Sequence, residues 1–148
     1  MRARREAMGL STRALAHALD INPKKLMEME AGSRPIPDGL ADDLRHMYGD
    51  WVAAVEANVD NAIGIAEELA ASRGAEPARM DFYVYGSKDE FEAAGGRAKY
   101  GTGWAGHTQY VATTALLVEA EGIAVAIRRF TDDPAEPSNL HEPRAEDR

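Results

Sequence analysis

A chain of 148 residues with 45% hydrophobic content has room for one ordinary domain or two small ones with a real core. It has no cysteine, which excludes disulfides and thiolate metal sites, and no apolar run approaches the ~20 residues of a membrane span. The net charge of −8 is uneven: residues 1–34 carry seven basic against four acidic side chains, which leaves −11 for the rest. An acidic body with a basic end orients a molecule on a polyanion.

The first helix is expected over residues 2–8, with Gly9 ending it. Arg2, Arg4 and Arg5 are not followed by an apolar stretch, so no secretory leader is expected and a cytoplasmic location is the default. Ser11 or Thr12 can cap a second helix, in which Leu15 and Leu19 share a face and Ala16 is small enough for a close helix crossing. Asp20-Ile21-Asn22 reads as a tight turn, with Ile21 as its buried plug and Asp20 able to take the left-handed conformation. Asn22 caps a third helix, and Pro23 falls at its first position, where a missing N–H costs nothing. Leu26, Met29 and Glu30 form the inward face of that helix. Lys24, Lys25, Met27 and Glu28 form its outward face, and Gly32 stops it. Two short helices joined by a tight turn, the second basic at its start, are the layout of a DNA-reading helix-turn-helix.

This segment resembles the lambda-repressor-like family. The matching residues are Leu10, Ser11, Leu15, Ala16, Leu19, Asp20, Ile21, Asn22, Glu30, Gly32, Arg34, Ile36 and Pro37, within about the first 48 residues. A second resemblance covers more of the chain. Glu30-x-Gly32, Ile36-Pro37, a long helix, Asp81-Phe82-Tyr83, Trp104, Gln109 and Val111-Ala112 look like a small prokaryotic and phage family that includes the anti-CRISPR-associated autorepressors. That family joins an N-terminal helix-turn-helix to a compact α+β dimerisation domain. Its members often carry aromatic residues where this chain has Leu26 and Met29, and a basic residue and a glutamine where it has Lys24 and Met27. The resemblance thus implies a reading role for Lys24, but no glutamine–adenine contact at position 27.

Beyond the motif, Asp38 is expected to cap a helix holding Leu40, Leu44, Met47 and Tyr48. A break at Gly49-Asp50, with Asp50 as the next cap, precedes a long apolar stripe from Trp51 to Leu69. That stripe suits packing within its own domain, a connector, or part of a dimer seam. Residues 72–79 read as a linker, and Met80 to Tyr85 as a strand. Ser87 and Glu90 form a capping box for a helix ending near Ala94. Residues 95–106 are glycine-rich, and a helix is expected from about Trp104 to Thr113. Two strands follow, Ala115–Glu119 and Ile123–Phe130, with a hairpin at Glu121-Gly122. Residues 131–148, rich in proline and acid, read as a disordered tail.

Gly101-Thr102-Gly103-Trp104-Ala105-Gly106 matches G-x-G-x-x-G, but it follows a loop, and a nucleotide site needs that run directly after a strand. A flexible loop entering a helix is the simpler reading. His17, His46, His107 and His141 lack metal spacing and read as surface or partly packed side chains. Trp104, Tyr100 and Tyr110 read as core or interface packing. Glu28 can accept from a cytosine N4 or pair with Lys24 four residues earlier.

The expected architecture is α+β. It comprises a helix-turn-helix domain with a long connecting helix over 1–72, a small α+β dimerisation domain over 73–130, and the acidic tail. The expected function is that of a non-enzymatic, sequence-specific DNA-binding regulator, a homodimeric repressor on an inverted repeat of double-stranded DNA. The expected DNA-binding residues are Thr12, Arg13, Asn22, Lys24, Lys25, Met27, Glu28 and Arg34, with no cofactor, metal or membrane partner. An antitoxin-like module that binds a toxin-like protein, or an RNA-binding translational regulator, remains the open alternative.

Overall fold

The computed structural model describes residues 1–74 and 79–130. Residues 75–78 of the expected linker and the expected tail over 131–148 lie outside the described residues. The architecture is α+β, mostly helical, and the chain forms two compact units, one from Met1 to Ala53 and one from Ala54 onward.

In the first unit, α1 (Arg2–Ala7), α2 (Thr12–Ala18) and α3 (Pro23–Glu30) precede the start of α4 (Asp38–Arg73). Each turn is built by the residue chemistry at its ends. Ser11, not Thr12, caps α2: its hydroxyl oxygen accepts from the Ala14 N–H at 3.1 Å. Asp20 takes a positive φ of 51°, and Asn22 then caps α3, its Oδ1 accepting from the Lys24 N–H at 2.8 Å. At the other end, Gly32 has φ 76°. The N–H groups of Gly32 and Ser33 return to the carbonyls of Met29 and Glu28, a Schellman closure. The core of this unit is Met8, Leu15, Ala16, Leu26 and Leu44, with Leu10, Leu19, Ile21, Met47, Tyr48 and Trp51 packed against it.

Helix α4 departs from expectation. It runs 36 residues without a break at Gly49-Asp50, so Asp50 caps nothing, and Asp38 lies in its first turn. Leu44, Met47, Tyr48 and Trp51 keep helical spacing across Gly49 and pack on one core. That packing outweighs the ~1 kcal/mol a helical glycine costs. The second half of α4 also belongs elsewhere than expected. Ala62 and Ala66 pack with the strands, so the boundary between compact units falls inside the helix, at Ala53/Ala54, and not at its end.

The second unit holds a two-stranded parallel sheet, β1 (Met80–Val84) and β2 (Val125–Arg129), in register from Met80↔Val125 to Val84↔Arg129. Parallel pairing needs a crossover of a dozen or more residues. Here it consists of α5 (Lys88–Ala93), α6 (Gly96–Tyr100) and α7 (Trp104–Ala120). The expected strand Ala115–Glu119 and the hairpin at Glu121-Gly122 are therefore corrected. Residues 115–119 continue α7, and Gly122, at φ 86°, follows the helix end and leads into β2. Val111, Thr114, Ala115 and Val118 are all buried, a 3.6-residue repeat that an apolar run of four conceals when read alone. Val111, Ala115 and Val118 form a core with Ala62, Ala66, Met80, Phe82 and Ile123. Ser87 caps α5 as expected, accepting from the Glu90 N–H at 3.2 Å, while the Glu90 carboxylate accepts from the Gly86 N–H at 2.9 Å. On the β1 face away from Phe82, the buried Asp81 carboxylate pairs with Arg79 at 3.1 Å and with Arg128 of β2 at 2.5 Å.

Against expectation, His107 is not a surface histidine: it is 2% exposed and is ringed by Tyr85, Phe91 and Tyr100 at centroid distances of 5.6, 5.6 and 4.3 Å. Gly96 makes room for this cluster, since a Cβ there would sit 2.4 Å from the Phe91 ring. Burial lowers the His107 pKa to about 4 from an ordinary 6.5, and burial followed by a hydrogen bond with Tyr100 pushes the Tyr85 phenol up to about 12. Between pH 6.5 and 4 the unfolded chain binds a proton at His107 that the folded chain does not, so stability rises with pH across that window. On acidification from pH 7 to 5, the wild type is expected to lose about 2 kcal/mol more stability than His107→Phe, as read by urea denaturation at the two pH values.

Candidate nucleic-acid interface

Helix α3 is held by one face, which leaves the other free. Leu26 and Met29 are buried on its inner side. Glu30 on the same side reaches back to α1: the Arg5 guanidinium donates from Nε to Oε1 at 2.8 Å and from Nη2 to Oε2 at 3.0 Å. This forked pair is nearly out of water, the Glu30 side chain being 3% exposed and that of Arg5 12%. Arg5 also donates to the Leu10 carbonyl at 2.9 Å, just ahead of α2. Arg2 lies 3.9 Å from the same carboxylate, and Arg4 sits over the Tyr48 ring at 5.7 Å. Two of the three N-terminal arginines that make the sequence look basic are thus turned toward Glu30. Reading the sequence missed this role for Arg5. The signal was the inward position of Glu30, because a carboxylate facing a core requires a cation.

Of the residues singled out from the sequence, Lys24, Lys25 and Met27 are exposed on α3, and none of these lysines has an ion-pair partner among the described residues. Glu28 and Arg34 are brought together, Arg34 Nε donating to Glu28 Oε2 at 2.7 Å. The Arg34 hydrogen bond holds the Glu28 carboxyl below its usual range. The expected alternative partner of Glu28, Lys24, is not the one it takes. Asn22 is exposed with its Oδ1 engaged in the cap. Thr12 is half-buried and Arg13 exposed, both at the start of α2, which packs against α3. Elsewhere in this unit a groove is lined by Ala18, Leu19, Asp20, Asp43, His46, Met47 and Asp50. Its three carboxylates repel phosphate, so α3 is the better surface for a polyanion.

The remaining sequence candidates find structural partners. Trp104 Nε1 donates to the Tyr85 carbonyl at 2.9 Å, Tyr110 Oη donates to the Ala54 carbonyl at 3.0 Å, and Tyr100 belongs to the His107 cluster. The glycine run 101–106 joins α6 to α7 and does not follow a strand. Among the described residues no group of three acidic or histidine side chains is placed to hold a metal ion, and no helix is long and apolar enough to cross a membrane. No family model matches the chain, and no curated protein matches it.

The Arg5–Glu30 pair generates a direct test. Glu30→Ala leaves the Arg5 guanidinium with only the exposed Glu6 carboxylate at 3.4 Å and the Leu10 carbonyl, and is expected to cost about 3 kcal/mol in urea denaturation. Arg5→Met combined with Glu30→Met removes both charges and is expected to recover most of that loss, because the apolar pair has no desolvation penalty.

Proposed function

We propose that this chain is a sequence-specific DNA-binding transcriptional regulator of the lambda-repressor-like kind, acting as a homodimeric autorepressor on an inverted repeat. The observation that carries the reading is the outer face of α3: a helix fastened on one side by Leu26, Met29 and Glu30, and presenting on the other two exposed lysines with no ion-pair partner among the described residues. Helix α3 is the reading helix and enters the major groove. Lys24 and Lys25 contact base edges or phosphate there. Thr12 and Arg13, at the start of α2, hold the backbone together with Arg34. A single reading helix spans only a few base pairs, so two copies about 34 Å apart share the work.

The second unit supplies the dimer. Its sheet has only two strands among the described residues, fewer than an independent sheet needs. Helix α7 carries one charged side chain in 17 residues, Glu119. It leaves Leu116 66% exposed, with Leu117 and Ile127 of β2 also exposed. Exposed apolar side chains on one small unit suit contact with a second copy.

Selection of bound fragments from random DNA with the full chain is expected to enrich an inverted repeat; failure to enrich any sequence refutes the reading. On that repeat, Lys24→Ala is expected to cost about 1–3 kcal/mol and relax preference at one position, while Arg13→Ala weakens every sequence alike and flattens the salt dependence. Competition binding at several salt concentrations separates the two. The full chain is expected to sediment as a dimer at micromolar concentration. Leu116→Asp is expected to sediment as a monomer that binds the repeat no better than a half-site.

A further inference from the structure

Met27 is the one large apolar side chain exposed on α3, at 52% of its full accessibility. Its neighbours on that face are committed or cationic. Glu28, the only carboxylate on that face, is tied to Arg34 at 2.7 Å, and the Asn22 carbonyl oxygen is tied to the Lys24 N–H at 2.8 Å. The capping bond denies Asn22 the two-point contact that an asparagine makes with adenine, and the Arg34 guanidinium offsets the charge of Glu28 and weakens it as an acceptor from cytosine. What remains is donors at Lys24 and Lys25, and a thioether at Met27. Met27 follows Lys24 by three residues and so shares its side of the helix. An apolar group flanked by unpaired ammonium groups is poorly placed for a protein core but suits a polyanion with an apolar feature. In the major groove only thymine presents one, its C5-methyl. Methionine suits that contact because it is unbranched and adapts its shape to a small apolar target.

We infer that Met27 reads the C5-methyl of a thymine in each half-site, and that this contact sets the base preference next to the position read by Lys24. The inference rests on the DNA-binding reading above and adds the base that is recognised.

The test uses the full chain and the repeat recovered by selection. Each thymine is replaced in turn by deoxyuridine, which removes the methyl and nothing else. At one position per half-site the wild type is expected to lose about fourfold in affinity, the worth of one buried methyl. Met27→Ala is expected to bind the natural repeat more weakly and to bind thymine and deoxyuridine equally at that position. Met27→Leu restores the discrimination. Met27 is exposed, so neither substitution disturbs the core, and unchanged circular dichroism and thermal midpoint verify this. Two results overturn the assignment while the regulator reading stands: specific binding with no methyl-dependent thymine, or methyl dependence that persists in Met27→Ala. Absence of specific DNA binding by the wild type overturns both.

Discussion

The Arg5–Glu30 pair is the constraint on which the first unit depends. A carboxylate 3% exposed at the end of α3 is unstable there without a cation, and Arg5 meets it with two parallel hydrogen bonds. The same guanidinium reaches the Leu10 carbonyl, so one side chain fastens α1, the entry to α2, and α3. A lysine could not do this, because it lacks the planar fork. Leu15, Ala16 and Leu26 then fix how closely α2 and α3 approach, with Ala16 leaving room for the crossing. The outward face of α3 is a consequence: it is the side left over once the inner side is fastened.

That arrangement also sorts the charges of the unit. Glu30 is neutralised by Arg5, and Glu28 is paired with Arg34, while Lys24 and Lys25 have no ion-pair partner among the described residues. Net charge is therefore a poor guide to which surface is positive. Internal pairs leave the +3 excess of residues 1–34 unchanged but decide where it sits: among the described residues Arg4, Arg13, Lys24 and Lys25 have no carboxylate within ion-pair distance, and two of these four lie on α3.

The second unit is held together by its crossover. Two parallel strands cannot bury enough by themselves, so α7 and the second half of α4 cover them. Asp81 adds an ion pair between the strands through Arg128, on the face away from Phe82. The cluster of Tyr85, Phe91, Tyr100 and His107 joins the residue after β1 to all three crossover helices and places a titratable ring among three aromatic rings. Burial without a compensating charge is what lowers the affinity of that ring for a proton.

Much of the first unit was legible in the sequence because its signals are local. Ser11, Asn22, Pro23, Asp20 and Gly32 act on backbone atoms within a few residues, and each appears at the helix boundary its chemistry implies. The strand Met80–Val84 and the cap at Ser87 were legible for the same reason. The errors arose where distant packing overruled a local signal. Gly49-Asp50 looks like a stop, but Leu44, Met47, Tyr48 and Trp51 share a core that carries α4 through it. Ala115–Glu119 looks like a strand beside a hairpin turn, but its neighbours over 111–118 complete a helical face buried against Ala62, Ala66 and Phe82. The Arg5–Glu30 pair spans 25 residues, and the burial of His107 depends on rings from Tyr85 just past β1, from α5 and from α6. By itself, the sequence determined the helix ends, the turn of the motif and the outward position of Lys24, Lys25 and Met27, since these follow from backbone chemistry and helical period. Only the tertiary structure decided the direction of β2, the continuity of α4 and which charges are paired, because those depend on what the rest of the chain brings alongside.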